Sequence, residues 1–278
     1  MKIKILMEDT NGEKEAIAQH GLSVYVETDK HRLMLDTGAS DKTFINAQKM
    51  EVDIRLVDTL VLSHGHYDHS GGIMTFADKN SNANIYIHKL AGLDYFHKYI
   101  NPDSSVTQKY IGIDKDILNL ERVIKVDGNY RIDDELSLFS DISKRRLWPQ
   151  SNTILTMKKG DDYVQDEFNH EQCLVIEAEN KTLLLSGCAH NGILNILDRF
   201  RMIYNREPDY VISGFHMMKD TEYTKEERDN IIKTAEELIK LPTVFYSGHC
   251  TGGQAMDILK SIMKDKLIAI HAGDFFEI

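Results

Sequence analysis

The segment Ser63-His64-Gly65-His66-Tyr67-Asp68-His69-Ser70-Gly71-Gly72 places three imidazoles and one carboxylate within six positions. It follows an apolar, strand-like run, Thr59-Leu60-Val61-Leu62, and ends in a glycine pair. Residues two apart on a chain leaving a strand project to the same side, so His64 and His66 can share one metal ion. Asp68 and His69 come a turn later, where Gly71 and Gly72 let the backbone bend tightly. They can therefore reach a second ion close to the first. A cluster of imidazole and carboxylate without thiolate suits a catalytic site rather than a closed structural zinc site, because it leaves positions for water. The expected cofactor is two divalent metal ions, zinc first, with manganese and iron also suited to the donors.

Composition narrows what such a site can serve. With 278 residues, 42% of them hydrophobic, the chain can bury a large core, and its four prolines argue against long linkers. A formal net charge of −11 speaks against non-specific binding to nucleic acid or to a membrane surface. The expected partner is a small-molecule substrate, and any anion on it must be held by local groups or by metal. Cys173, Cys188 and Cys250 form no CxxC pair, which fits a reduced, cytoplasmic setting. The stretch Met1 to Asp9 is too short and too soon acidic for a signal peptide, and no apolar run approaches the roughly 20 residues that span a bilayer.

Periodicity predicts strands over Lys2–Met7, His20–Thr28 and Arg32–Asp36, then a helix over Thr43–Lys49 and the strand Val57–Leu62 that delivers His64. A helix at Gly72–Phe76 and a strand at Asn84–His88 follow. From Lys89 to about Ser151 the pattern loosens. Arg145, Arg146 and Trp148 lie here and would suit an anionic or aromatic ligand, although a solvated basic turn and a core-packed tryptophan are the favoured reading. The runs Cys173–Ile176 and Thr182–Leu185 make a hairpin. Beyond it come a helix (Gly192–Arg201), a strand (Pro208–Ser213), a long helix (Thr224–Leu241) opened by a Thr224/Glu227 capping box, a strand (Val244–Tyr246) and a last helix (Gly253–Met263). His216 follows a strand directly and is a candidate metal ligand, substrate contact or general acid. Two small-residue loops stand at helix N-termini, where free amides favour an anion. They contribute Asn191 and Gly192, and Thr251 and Gly252, as candidate anion-binding residues, and they lean the substrate towards phosphate. His20, His31, His88, His97 and His271 have no such setting and read as core or surface residues.

Together with Leu33-Met34-Leu35-Asp36-Thr37-Gly38, the HxHxDH pattern resembles the metallo-β-lactamase superfamily. Ser186-Gly187-Cys188-Ala189-His190-Asn191-Gly192-Ile193, Ser213-Gly214-Phe215-His216 and Ser247-Gly248-His249-Cys250-Thr251-Gly252 resemble its branch that includes the dihydropterin-methyl-ribofuranosylaminobenzene phosphate synthase. The likeness covers nearly the whole chain. It implies an α/β fold, a four-layered αββα sandwich with two central mixed sheets, formed by one domain over residues 1–278. An insert at about 89–151 would cover the site and choose the substrate. The resemblance also implies His64, His66, Asp68, His69, His190 and His249 as metal ligands, with Asp36 supporting them by hydrogen bonds. His170 fits, by spacing, the histidine that stands before the hairpin in many members.

At the position where those members carry a metal-bridging aspartate, this chain has Cys188. A neutral histidine has one lone pair and cannot bridge two ions, so His190 does not replace that aspartate. Three alternatives stay open: water or hydroxide bridges alone, Cys188 contributes a thiolate, or one ion binds more tightly than the other. A small buried cysteine is the commoner case. The expected function is metal-dependent hydrolysis, with Asp68 orienting metal-activated water against a phosphoester or ester of a phosphate-bearing small molecule. Two alternatives stand beside it: a pterin-type transferase releasing pyrophosphate, and a non-catalytic iron-binding redox or signalling protein on the same fold.

Overall fold

A computed structural model describes residues 1–12, 15–143 and 145–278. Two seven-stranded sheets dominate it. The first runs in the order Phe275–Glu277, Lys2–Met7, Ser23–Glu27, Arg32–Leu35, Thr59–Val61, Asn84–His88, Val123–Val126. The second runs Leu267–Ala269, Val244–Ser247, Tyr210–Ile212, Lys181–Leu185, Cys173–Ala178, Leu136–Phe139, Tyr130–Arg131. Each is mixed, with an antiparallel part joined to a parallel part.

Alternation along the strands explains the layering. Val24, Val26, Leu33 and Leu35 face Leu174, Ile176, Leu183 and Leu185 in one fully buried cluster between the sheets. Their neighbours Tyr25 and Met34 point the other way, into a second cluster with Phe44, Ile73 and Phe76 from the helices Lys42–Lys49 and Ile73–Lys79. On the far side, Val175, Leu184, Val211 and Phe245 pack against the helices Ile193–Tyr204, Lys225–Leu238 and Gly253–Met263. These strands are buried on both faces and so read as continuous apolar runs, as parallel sheets sandwiched by helices require. The result is the expected four-layered αββα sandwich. The capping box is present as well: Thr224 Oγ1 accepts from the Glu227 amide and the Glu227 carboxylate accepts from the Thr224 amide.

A third, four-stranded antiparallel sheet was not expected from the sequence. It is built from Asp162–Gln165, Leu155–Lys159, Tyr95–Ile100 and Val106–Tyr110. It joins the sandwich through Tyr95, Ile111, Leu155 and Phe168, with Trp148 and Met157 packed against them. Among the described residues no helix is long and apolar enough to cross a membrane.

Candidate metal centre

The parallel strands of both sheets end at one edge of the sandwich, and every turn that carries chemistry leaves from there. Asp36 follows Arg32–Leu35, and His64 follows Thr59–Val61. Cys188 and His190 follow Lys181–Leu185, His216 follows Tyr210–Ile212, and His249 follows Val244–Ser247. Several of these residues hold the left-handed conformation that L-residues adopt reluctantly: Asp36 (φ 60°), Ala189 (φ 54°), His216 (φ 47°) and His249 (φ 50°). The loops also approach closely. A Cβ on Gly187 would lie 2.2 Å from Ser63 Oγ, so glycine is what lets the two halves meet here.

The histidines are oriented from behind. Asp36 is buried and accepts from the Ser63 amide (2.7 Å), from Ser63 Oγ (2.7 Å) and from His69 Nδ1 (2.7 Å). Because Ser63 Oγ spends its hydrogen on Asp36, it accepts from His64 Nδ1 at 2.8 Å. Asn152 donates through Nδ2 to the His190 carbonyl (2.7 Å), which turns its Oδ1 to accept from His190 Nδ1 (2.9 Å). Asp9 accepts from His249 Nδ1 at 2.6 Å. Four rings thus carry a hydrogen on Nδ1, as the hydrogen-bond network assigns it, and each points Nε2 inward; on His64 and His190 that nitrogen is bare.

Those bare nitrogens converge. Nε2 of His64 and Nε2 of His190 stand 3.2 Å apart, each without a hydrogen to give the other. His66, whose ring lies 4.6 Å from His64 and 4.9 Å from His190, has a buried Nε2 with no hydrogen-bond partner. Next to this trio, Asp68 Oδ2 lies 3.3 Å from His69 Nε2 and 3.4 Å from His249 Nε2. Facing lone pairs repel, and an orphaned buried nitrogen costs free energy, so both arrangements call for a cation between them. The donors fit divalent metal ions on geometry as well as on residue type.

The two half-sites differ electrostatically. Burial, reinforced by neighbouring imidazoles, holds His64 and His190 well below the usual histidine range and takes His66 down to about 3, leaving neutral, ligand-competent rings. Burial would lower His69 too, but Asp68 and Asp36 outweigh it and push His69 up to about 9. The carboxylate half of the cluster therefore attracts positive charge, proton or metal. Cys188 Sγ falls between the halves: it groups with His64 and His190 on one side and with Asp68, His69 and His249 on the other. It lies 3.1 Å from His69 Nε2 and 3.4 Å from His249 Nε2.

The surroundings of four candidate residues or loops are now defined. His170 has no free lone pair: its Nδ1 accepts from the Gly65 amide (2.8 Å) and its Nε2 donates to Asp166 (3.1 Å), so it shapes the turn between His64 and His66. The amide of Asn191 is not free for an anion, because Glu171 already accepts from the amides of His190 (2.6 Å) and Asn191 (2.9 Å), while Gly192 donates to Ala189. The Thr251 and Gly252 amides close a turn on Gly248 and His249, and Thr251 Oγ1 accepts from the Phe215 amide, so that loop is committed as well. His216 lines the cavity with Nδ1 tied to Ser151 Oγ at 2.9 Å, and burial with nearby imidazoles takes it down to about 3.

Other residues arrive that local sequence does not signal. His20 reaches the centre through Asp9, which accepts from its Nδ1 at 2.8 Å, and its ring lies 4.8 Å from His249. Phe168 stacks on His190, 4.4 Å away and parallel to within 1°. Trp148 is not simply a core residue. It lines a cavity of about 690 Å³ in front of the cluster, with Arg145 5.1 Å from its ring.

Comparison with known proteins agrees with this fold. A family model described as the metallo-beta-lactamase superfamily matches residues 17–229. Two proteins of Methanocaldococcus jannaschii are similar over almost the full chain. Protein MJ0448 is 29% identical over 268 residues, covering 94% of each chain. The 7,8-dihydropterin-6-methyl-4-(beta-D-ribofuranosyl)-aminobenzene-5'-phosphate synthase is 26% identical over 296 residues, covering 98% of this chain and 95% of its own. The crystal structure of Tm1679, described as a metal-dependent hydrolase of the beta-lactamase superfamily, superposes with a TM-score of 0.79 at 29% identity, over 100% of this chain and 99% of that one.

Proposed function

This chain belongs to the metallo-β-lactamase superfamily, and from that membership and the converging bare nitrogens we propose a metal-dependent hydrolase acting on a phosphoester or ester of a phosphate-bearing small molecule. The observation that carries the reading is the 3.2 Å approach of His64 Nε2 and His190 Nε2 with no hydrogen between them. His64 and His190 with Cys188 would hold one ion, and Asp68, His69 and His249 with the same Cys188 a second; His66, whose ring lies 4.6 Å from His64 and 4.9 Å from His190, would join the first set, although its ligand atom also groups with Asp166 and His170. Bound there, divalent ions supply Lewis acidity and a water ionised near neutral pH.

The chain's own groups do the rest. Asp36, Asn152 and Asp9 keep Nδ1 protonated on the ligand histidines and so keep Nε2 available. Asp68 places a carboxylate oxygen at the cavity floor, where it can accept a hydrogen from the attacking water. His216 offers a neutral imidazole to the substrate. His97, Tyr99 and Lys109 of the third sheet, with Trp148 packed beside it, line the wall above this floor.

A second reading, group transfer by a synthase, is favoured by the 26% identical relative that aligns over 98% of the chain. Metal analysis of protein purified without chelators, followed by assay on bis(4-nitrophenyl) phosphate and simple esters, tests the first reading. A zinc or manganese protein that releases nitrophenol supports it. Loaded protein inert towards every ester and phosphoester overturns it, and iron as the bound metal together with that inertness supports a redox role.

A further inference from the structure

The cavity in front of the cluster, at about 690 Å³, is far larger than a reacting phosphoryl group needs and matches a small organic molecule. Its walls differ in charge. On one side Lys219 is neutralised by Glu227, at 2.7 and 2.8 Å, with Asp220 beside it. On the other side Lys109 lines the cavity and, among the described residues, has no carboxylate within ion-pairing distance. An anionic group on the substrate is repelled from the first wall and attracted to the second.

The third sheet sets what surrounds Lys109. Antiparallel pairing places it directly opposite His97, which also lines the cavity. His97 Nδ1 is buried without a hydrogen-bond partner, and the Tyr99 ring lies 4.1 Å from the His97 ring. Two residues along, the Ile111 carbonyl accepts from the Tyr67 amide at 2.9 Å, which fastens this strand to the loop carrying Asp68. Lys109 therefore stands roughly 7 Å of strand beyond that fastening. A substrate held at the metal ligands would bring a second anion to it across the apolar stretch lined by Trp148 and Ile154.

We propose that Lys109, with His97 and Tyr99, forms a subsite for a second, non-reacting phosphate of the substrate. An ammonium is a compact point charge suited to phosphate, and the His97 ring, which lines the same part of the cavity, carries a second nitrogen that can donate to a phosphate oxygen. The subsite rests on the phosphoester reading above. It returns to the cavity wall the anion recognition that the Asn191 and Thr251 loops do not provide.

The test uses the metal-loaded protein and the fluorescence of Trp148, the chain's single tryptophan, which lines the cavity. Thymidine 5'-monophosphate and thymidine 3',5'-bisphosphate differ by one phosphate. The wild type is expected to bind the bisphosphate about tenfold more tightly, a preference lost in Lys109→Ala and kept in Lys109→Arg. Equal affinities in the wild type, an unchanged preference in Lys109→Ala, or no fluorescence response to either nucleotide overturns the subsite. Turnover of the 5'-(4-nitrophenyl) esters of the same two nucleotides separates the two claims. Preferential binding without cleavage of either ester overturns the hydrolase reading alone; cleavage of both with the same KM overturns the subsite alone.

Discussion

A single orphaned nitrogen, His66 Nε2, carries more information than any of the paired groups around it. His66→Ala removes one donor from the three-imidazole half. It is expected to lower bound metal to about one ion per chain and activity at least a hundredfold, with the melting temperature of metal-free protein unchanged within a few degrees; metal analysis, turnover and calorimetry check this. Asn152→Ala tests orientation rather than ligation. It releases His190 to the other tautomer, and metal affinity is expected to fall about 10–100-fold by competition with a chromophoric chelator. His69 gives the pH dependence. Its folded pKa, about 9, lies above its unfolded value of about 6.5, so the proton on it stabilises metal-free protein fully below pH 6.5 and ceases to do so as pH rises through 9. The same proton competes with metal, so metal affinity is expected to rise over that interval while the melting temperature of chelator-treated protein falls. Melting curves and metal titrations at several pH values measure both trends.

At the scale of elements, Thr224→Ala removes one side of the capping box of the Lys225–Leu238 helix and is expected to cost about 1 kcal/mol in denaturant unfolding. That capping box was legible because its chemistry is local: a threonine, a glutamate three residues on, and an apolar period behind them. The HxHxDH turn was legible for the same reason. Strands such as Cys173–Ala178 and Lys181–Leu185 announced themselves as apolar runs because both of their faces are buried. The third sheet did not. Val106–Tyr110 reads VTQKY, is mostly exposed, and forms an edge, so no hydrophobic alternation marks it. His20 was missed because its partner, His249, lies in the other half of the chain, and Asp9, which joins them, sits in no recognisable motif. The anion loops failed for the opposite reason. Their local signal was sound, but Glu171, contributed from the segment before the hairpin, already occupies the amides of one of them.

For the whole molecule, the residues that could hold metal are divided between the two sheets. Asp68 and His69 come with the first, while Cys188, His190 and His249 come with the second. An ion held by both halves binds the folded chain and not its separated parts. Removing metal with a chelator is therefore expected to lower the melting temperature by several degrees, and adding it back in excess to restore the value; about 3 kcal/mol corresponds to ligand at a hundred times its Kd. An unchanged melting temperature on metal removal would show that the sheets' own apolar interface alone holds the halves together.

The same division orders events in time. During synthesis the HxHxDH turn leaves the ribosome roughly 180 residues ahead of His249. At ordinary elongation rates of about 5–20 residues per second, that gap lasts roughly 10 to 40 s. Throughout it, the nascent chain displays half a centre with nothing to close it. A centre that draws on both halves can be completed only once His249 has emerged.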